Sequence, residues 1–197
     1  MAELKPIQSV QTISSPTTTL LAKNPRPAVF IVGAFGCGKT SIVGWREHVP
    51  FDKVSTEVSG WVSIGGKLGA DNLAALLGGI KAGYTDYIKT LWEKPLLIHS
   101  MIYTNKVDIE RLSRTHKVYV IELITSAGNL LERQESRSGK TITYERYCEG
   151  ESRVCRVVSW AQHIGCTVIR IDNDRKLKTV AEEVWGHLDD IMSKQDK

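Results

Sequence analysis

Long hydrophobic runs are missing from this sequence of 197 residues. No stretch reaches the roughly 18 consecutive apolar residues of a membrane-spanning helix, and the N-terminal stretch has no basic region followed by an apolar one. A cytoplasmic protein without a membrane partner is therefore expected. Cysteine is scarce. The four, Cys37, Cys148, Cys155 and Cys166, include no C-x-x-C pair, so reduced thiols are expected rather than a disulfide framework. A zinc site drawn from Cys148, Cys155, His163 and Cys166 fits no familiar ligand spacing. Excess charge is also small. The 26 Lys and Arg against 22 Asp and Glu leave +4, which permits a polyanionic partner without requiring one. No internal repeat is visible, which sets a solenoid aside. Hydrophobic residues at 42% and charged residues at 24% are those of a globular chain long enough to bury a core.

Proline is sparse and unevenly placed, four of the six lying in residues 1–27. That stretch has no helical or strand periodicity and reads as a flexible leader, with one domain over residues 28–197. Residues 28–32 form a short apolar run ending in glycine, as a buried parallel strand does. A helix over 39–47 follows. Two further buried strands are predicted at 95–100 and 118–124, with a helix over 108–113 between them and a helix capped by Ser126 after the second. Val154, Val157, Val158 and Ala161 recur at helical spacing and predict an amphipathic helix over 152–163. A strand over 166–172 and a terminal helix opened by a capping box at Thr179–Glu182 complete the chain. Strands alternating with helices predict an α/β fold, three-layered around a mostly parallel sheet.

Between the first and second strands lie seven of the sixteen glycines, from Gly60 to Gly83. This segment, about 52–94, carries Lys67, Asp71 and the aromatics Trp61, Tyr84, Tyr87 and Trp92. The aromatics suit either base stacking or core packing. Asp71 suits either a helix N-cap or a carboxylate that orients a hydroxyl. Glu57 and Asp52 are the next candidates for that carboxylate.

The most informative motif is Gly33-Ala34-Phe35-Gly36-Cys37-Gly38-Lys39-Thr40, followed by Ser41. It satisfies G-x-x-x-x-G-K-[ST] between a buried strand and a helix. In such a loop the backbone N–H groups cradle phosphate oxygens, Lys39 brings a point charge to the β and γ phosphates, and the Thr40 hydroxyl can ligate Mg²⁺. A nucleoside triphosphate, taken as ATP, is the expected ligand. Glu122 ends one apolar run, as the acid of an ATPase would, but Leu123 and Ile124 continue the run beyond it, as a mid-strand acid with a structural partner requires. Asn105 to Asp108 spell a guanine-reading tetrapeptide but run straight into a helix. Arg133 and Arg137 stand four residues apart on one helix face. They can close over phosphates or pair with Glu132 and Glu135 on a solvated face.

The order of strand, phosphate loop, glycine-rich segment, strand, arginine-bearing helix, strand and closing helix resembles the P-loop kinases of nucleotides and nucleic acids, over about residues 28–192. The resemblance implies a mobile lid at about 133–152, with Arg133 and Arg137 on the phosphates, ATP and Mg²⁺ as cofactors, and Asp71 as the base. Arginine is absent between Arg46 and Arg111, where kinases of free monophosphates clamp their acceptor's phosphate with guanidinium forks. Among P-loop kinases without that clamp, the chain is similar to the small phage enzymes that phosphorylate 5-hydroxymethyluracil in DNA during hypermodification. Lys67, Lys81, Lys89 and Lys94 would then face the DNA backbone. A (deoxy)nucleoside monophosphate kinase and a P-loop ATPase or switch using Glu122 are the alternatives.

Overall fold

Strands covered on both faces by helices need apolar side chains pointing both ways, and the runs at the start and middle of the chain meet that need. In the computed structural model, which describes residues 25–46, 56–65, 94–99, 106–138 and 143–195, those runs are the centre of a sheet. The strands are β1 (Pro27–Val32), β2 (Thr56–Val58), β3 (Trp61–Ile64), β4 (Leu96–Ile98), β5 (Lys117–Ile124) and β6 (Thr167–Asp172). The helices are α1 (Lys39–Val43), α2 (Lys106–Ser113), α3 (Ala127–Ser138), α4 (Tyr144–His163) and α5 (Leu177–Ser193). The sheet order is β2-β3-β4-β1-β5-β6, with every neighbouring pair parallel except the β2–β3 hairpin.

Alternate residues of each strand feed opposite cores. Val29, Ile31, Tyr119, Ile121 and Leu123 pack with Ile42 and Val43 of α1, Leu130 of α3 and Val180, Val184, Trp185, Leu188 and Ile191 of α5. On the other face Ala28, Phe30, Val32, Val118 and Val120 meet Ile109 and Leu112 of α2 and Val154, Val157, Val158 and Ala161 of α4. The result is the three-layer α/β architecture with a mostly parallel sheet that the sequence pattern predicts.

Several boundaries differ from expectation, each for a local reason. Helix α1 stops at Val43, with Gly44 as its C-cap, short of the predicted 47. Helix α4 begins at Tyr144, where the Thr143 side chain accepts from the Arg146 N–H at 3.4 Å. Its first two turns are largely exposed, so they carry no apolar period. The capping box at Thr179 is not used: α5 starts at Leu177 after Lys176, with no side-chain cap, and Thr179 lies inside the first turn. Hairpin β2–β3 was hidden in the glycine-rich stretch. Val58 pairs with Trp61, leaving Ser59 (φ 48°) and Gly60 (φ 83°) as a two-residue turn of left-handed residues, the geometry that matches strand twist. Trp61 is 1% exposed in the core, which removes it from base stacking.

Candidate functional site

Strand β1 lies inside the sheet, and the phosphate-loop motif leaves its carboxyl end, the side where open α/β sheets bind ligands. Gly36 and Gly38 adopt φ of 89° and 93°, a left-handed backbone that side chains resist. A Cβ on Gly36 would also collide with the Gln134 amide. Ala34 and Cys37 are buried at 2% and 1% exposure, while Phe35 stands 58% exposed at the tip. Lys39 opens α1 and turns back over its own loop. Its ammonium donates to Gly33 O at 2.8 Å, Ala34 O at 3.0 Å and Cys37 Sγ at 3.5 Å. Thr40 is half-buried and Ser41 exposed in the same turn. Gly38, the N-cap, offers no side chain to the first N–H groups of α1. A glycine loop with an adjacent ammonium and a hydroxyl fits a polyphosphate and its metal ion.

Two residues outside the motif hold the loop in shape. Asn173, directly after β6 and 2% exposed, donates from Nδ2 to Cys37 O at 2.7 Å and to Thr125 Oγ1 at 2.9 Å. Gln134 of α3 donates its amide to Phe35 O. Neither was singled out from the sequence, because the partners lie 136 and 99 residues away. Asn173→Ala leaves the Cys37 carbonyl and the Thr125 hydroxyl without this donor, an expected cost of about 1–3 kcal/mol. Urea unfolding should register that loss, and isothermal titration with ATP should show weaker binding because the loop is no longer held from below.

The predicted acids and arginines separate. Glu122 faces the α4 side of β5 and accepts from Arg170 Nε at 2.9 Å. Glu151 of α4 lies near it. Burial and then the Glu122 charge raise the Glu151 pKa. Glu57 is exposed on β2 and pairs with Lys94 at 2.8 Å. Asp71, Asp52, Lys67, Lys81, Lys89, Tyr84, Tyr87 and Trp92 fall outside the described residues. Arg133 reaches across to the β6 end, donating from Nη2 to Asn173 O at 2.7 Å. Arg137 lies one turn further along α3, and residues 139–142 of the expected lid fall outside the described residues. Cys148, Cys155 and Cys166 are free thiols, and no cluster of three or more metal-ligating side chains occurs among the described residues. No described helix is long and apolar enough to cross a membrane.

His99 directly follows β4, the neighbour of β1. Burial first, and then the Lys39 charge, lower its pKa to about 4, against an ordinary value near 6.5. The unfolded chain therefore takes up a proton below pH 6.5 that the folded protein refuses until about pH 4. This contribution is complete above pH 6.5 and declines as pH falls through that window, by on the order of 3 kcal/mol in total. Urea midpoints measured from pH 7 to pH 4.5 should fall more steeply for the wild type than for His99→Gln, which has no imidazole to titrate.

Neither a protein-family model nor a curated protein matches the chain. Among solved structures, a gluconokinase from Sinorhizobium meliloti 1021 is similar at 14% identity and a TM-score of 0.50, covering 88% of this chain and 97% of its own. A sugar kinase from Janibacter sp. HTCC2649 is similar at 17% identity and a TM-score of 0.48, over 84% and 95% of the two chains. The tunicamycin resistance protein of Deinococcus radiodurans is similar at 18% identity and a TM-score of 0.46, over 83% and 95%. The fold of this chain is thus an α/β fold with a mostly parallel central sheet, of the kind that the gluconokinase structure also has.

Proposed function

We propose that this protein is an ATP-dependent kinase that transfers a phosphoryl group to a hydroxyl. The observation that carries the reading is the Lys39 ammonium, seated over a left-handed glycine loop at the carboxyl end of a strand inside the sheet. Bound ATP would supply the γ-phosphoryl group, and Mg²⁺ held at the Thr40 hydroxyl would neutralise charge on the phosphates. The backbone of Gly33 to Thr40, with Ser41, holds the phosphates. Lys39 exchanges its loop carbonyls for phosphate oxygens and stabilises charge as transfer proceeds, and the Thr40 hydroxyl holds the metal. Arg133 would meet the phosphates from α3, on the side of β1 away from β3 and β4, with Arg137 one turn further along that helix as the second lid arginine. Asp71 orients the acceptor hydroxyl and takes its proton.

The acceptor lies toward β4 and β3, the half of the chain without arginine between Arg46 and Arg111. A hydroxyl-bearing acceptor needs no guanidinium clamp, and 5-hydroxymethyluracil in DNA is the favoured form. The water-using alternative is disfavoured because Glu122 is engaged by Arg170. The test offers γ-labelled ATP with hydroxymethylated DNA, unmodified DNA, free deoxynucleoside monophosphates and gluconate in parallel. Label on hydroxymethylated DNA supports the full reading, and label on gluconate or a monophosphate moves the acceptor but keeps the kinase. Label released only as inorganic phosphate with every acceptor overturns phosphoryl transfer to a hydroxyl.

A further inference from the structure

Helix α4 covers one face of the sheet with Val154, Val157, Val158 and Ala161, and the opposite face of the same helix is open. Cys148, Ser152, Cys155 and Ser159 recur there at i, i+4, i+7 and i+11, the spacing of one helix face, and all four are exposed. Two open grooves of about 650 and 750 Å³ run along this face and meet at Ser152 and Arg156. Charge is ordered beside them. Glu145 and Glu149 stand on one flank in the first half of the helix, and Arg153 and Arg156 follow on that flank in the second half, all exposed. None of the four makes an ion pair among the described residues, although Glu149 and Arg153 stand at i and i+4, where such pairs form. Tyr144, at the start of the same face, is 65% exposed, the most of any large hydrophobic side chain described.

A flank that is acidic at one end and basic at the other complements itself when a second copy runs the opposite way, because like flanks meet across an antiparallel helix pair. A two-fold axis beside Ser152 makes that match. With a uniform rise per residue, the partner's Arg156 comes level with residue 147, midway between Glu145 and Glu149. By symmetry the contact is made twice. The same axis sets Cys148 opposite the partner's Cys155, and Tyr144 opposite the partner's Ser159, where a small side chain leaves room for the ring. A parallel pair brings the charged flank of one copy to the other flank of its partner and leaves Arg156 far from both acids.

We propose that the outer face of α4 is a self-association surface, on which two copies of this chain pack antiparallel with Arg156 of each between Glu145 and Glu149 of the other. A second copy fits better than a nucleic acid because the flank carries as many acids as bases, and a polyanion would meet both. The inference stands independently of the kinase reading. Exposed ion pairs contribute little affinity and chiefly set register and partner. Contact area comes from Tyr144 and from the close approach that the cysteines and serines permit. The thiols also report the register. Within one chain, the seven residues from Cys148 to Cys155 set their Cα atoms about 10 Å apart along the helix, beyond the roughly 7 Å that a disulfide spans. Between antiparallel copies the two thiols lie at the same level.

Oxidised glutathione traps the pair: each bridge forms as two thiols pass their hydrogens to it and two molecules of reduced glutathione leave. The wild type should run as a covalent dimer on a non-reducing gel, with Cys148 joined to Cys155 in its peptide map. Cys37 is 1% exposed and Cys166 half-buried, so neither competes. Cys148→Ser and Cys155→Ser should each fail to link alone, whereas an equimolar mixture of the two should link again, since Cys155 of one then meets Cys148 of the other. A covalent dimer from either variant alone, or none from the mixture, overturns the proposal. Sedimentation under reducing conditions tests the charges. Arg156→Glu should raise the dimer dissociation constant at least about tenfold, because like charges then meet twice. Adding Glu145→Arg and Glu149→Arg to it reverses every sign and should restore the constant to within about threefold of wild type. A wild type that stays monomeric at about 100 μM overturns the proposal, as does a sign-reversed variant no stronger than Arg156→Glu alone.

Discussion

Lys39→Ala is expected to lower ATP-dependent phosphoryl transfer by about 10³-fold or more while leaving the domain folded. The ammonium is the one cation that the loop itself supplies, and it sits over the glycine backbone where the β and γ oxygens would lie. Its present hydrogen bonds, to Gly33 O and Ala34 O at 2.8 and 3.0 Å, join a half-buried side chain to the carbonyls of two buried residues. Their loss should cost about 1–3 kcal/mol, less than unfolds a domain of ordinary stability. Lys39→Arg should also fail, because a planar fork does not reproduce a compact point charge in a tight loop. The check pairs the labelled-ATP assay with a thermal unfolding curve. Transfer within tenfold of wild type, by a variant with an unchanged melting temperature, would falsify the assignment of Lys39.

Trp185→Ala is expected to have the largest effect on stability, about 3–5 kcal/mol. Trp185 is 1% exposed and among the largest fully buried side chains. Its Nε1–H donates to Ile42 O at 3.0 Å, tying α5 to α1. Arg46 lies over its ring at 4.7 Å and forks onto Asp189 of the same helix at 2.8 and 2.6 Å. In a chain of this size each kcal/mol moves the melting temperature by about 2–4 °C, so a drop of roughly 6–20 °C is expected. Trp185→Phe keeps most of the apolar area and loses only the indole donor, about 1–2 kcal/mol. Because α1 opens with Lys39 and Thr40, the Phe variant also tests whether that anchor sets loop geometry. Nucleotide affinity within threefold of wild type would confine Trp185 to stability.

Wherever consecutive residues meet one another, the sequence was readable. The run from β1 through Gly38 to Lys39 carries its whole logic locally: a buried strand, glycines with left-handed backbone, then a helix. Strand β5 announced itself by an apolar run through Ile124, and the residues continuing past Glu122 signalled a mid-strand acid, which the Arg170 pair bears out. The first turns of α4 gave no signal, since residues facing water need no period. The unused capping box at Thr179 had the right letters, but α5 begins two residues earlier, where Leu177 is 42% exposed. Ser59 and Gly60 were a hairpin signal that the surrounding glycines obscured.

His99, Asn173 and Gln134 belong to a different category. Read alone, each is a polar residue near the end of an element. What singles them out is a partner on another strand or loop: Ser63, 36 residues away, for His99 and Cys37, 136 residues away, for Asn173. Such pairs depend on sheet order, and nothing local ranks β4 beside β1 ahead of other arrangements. The sequence by itself determined the α/β class, the phosphate loop and its lysine, because periodicity and backbone chirality act between near neighbours. Only the tertiary structure decided which residues support the loop and that a histidine is buried against Ser63 after the neighbouring strand, because hydrogen bonding and burial act between residues that the chain holds far apart until the sheet is assembled.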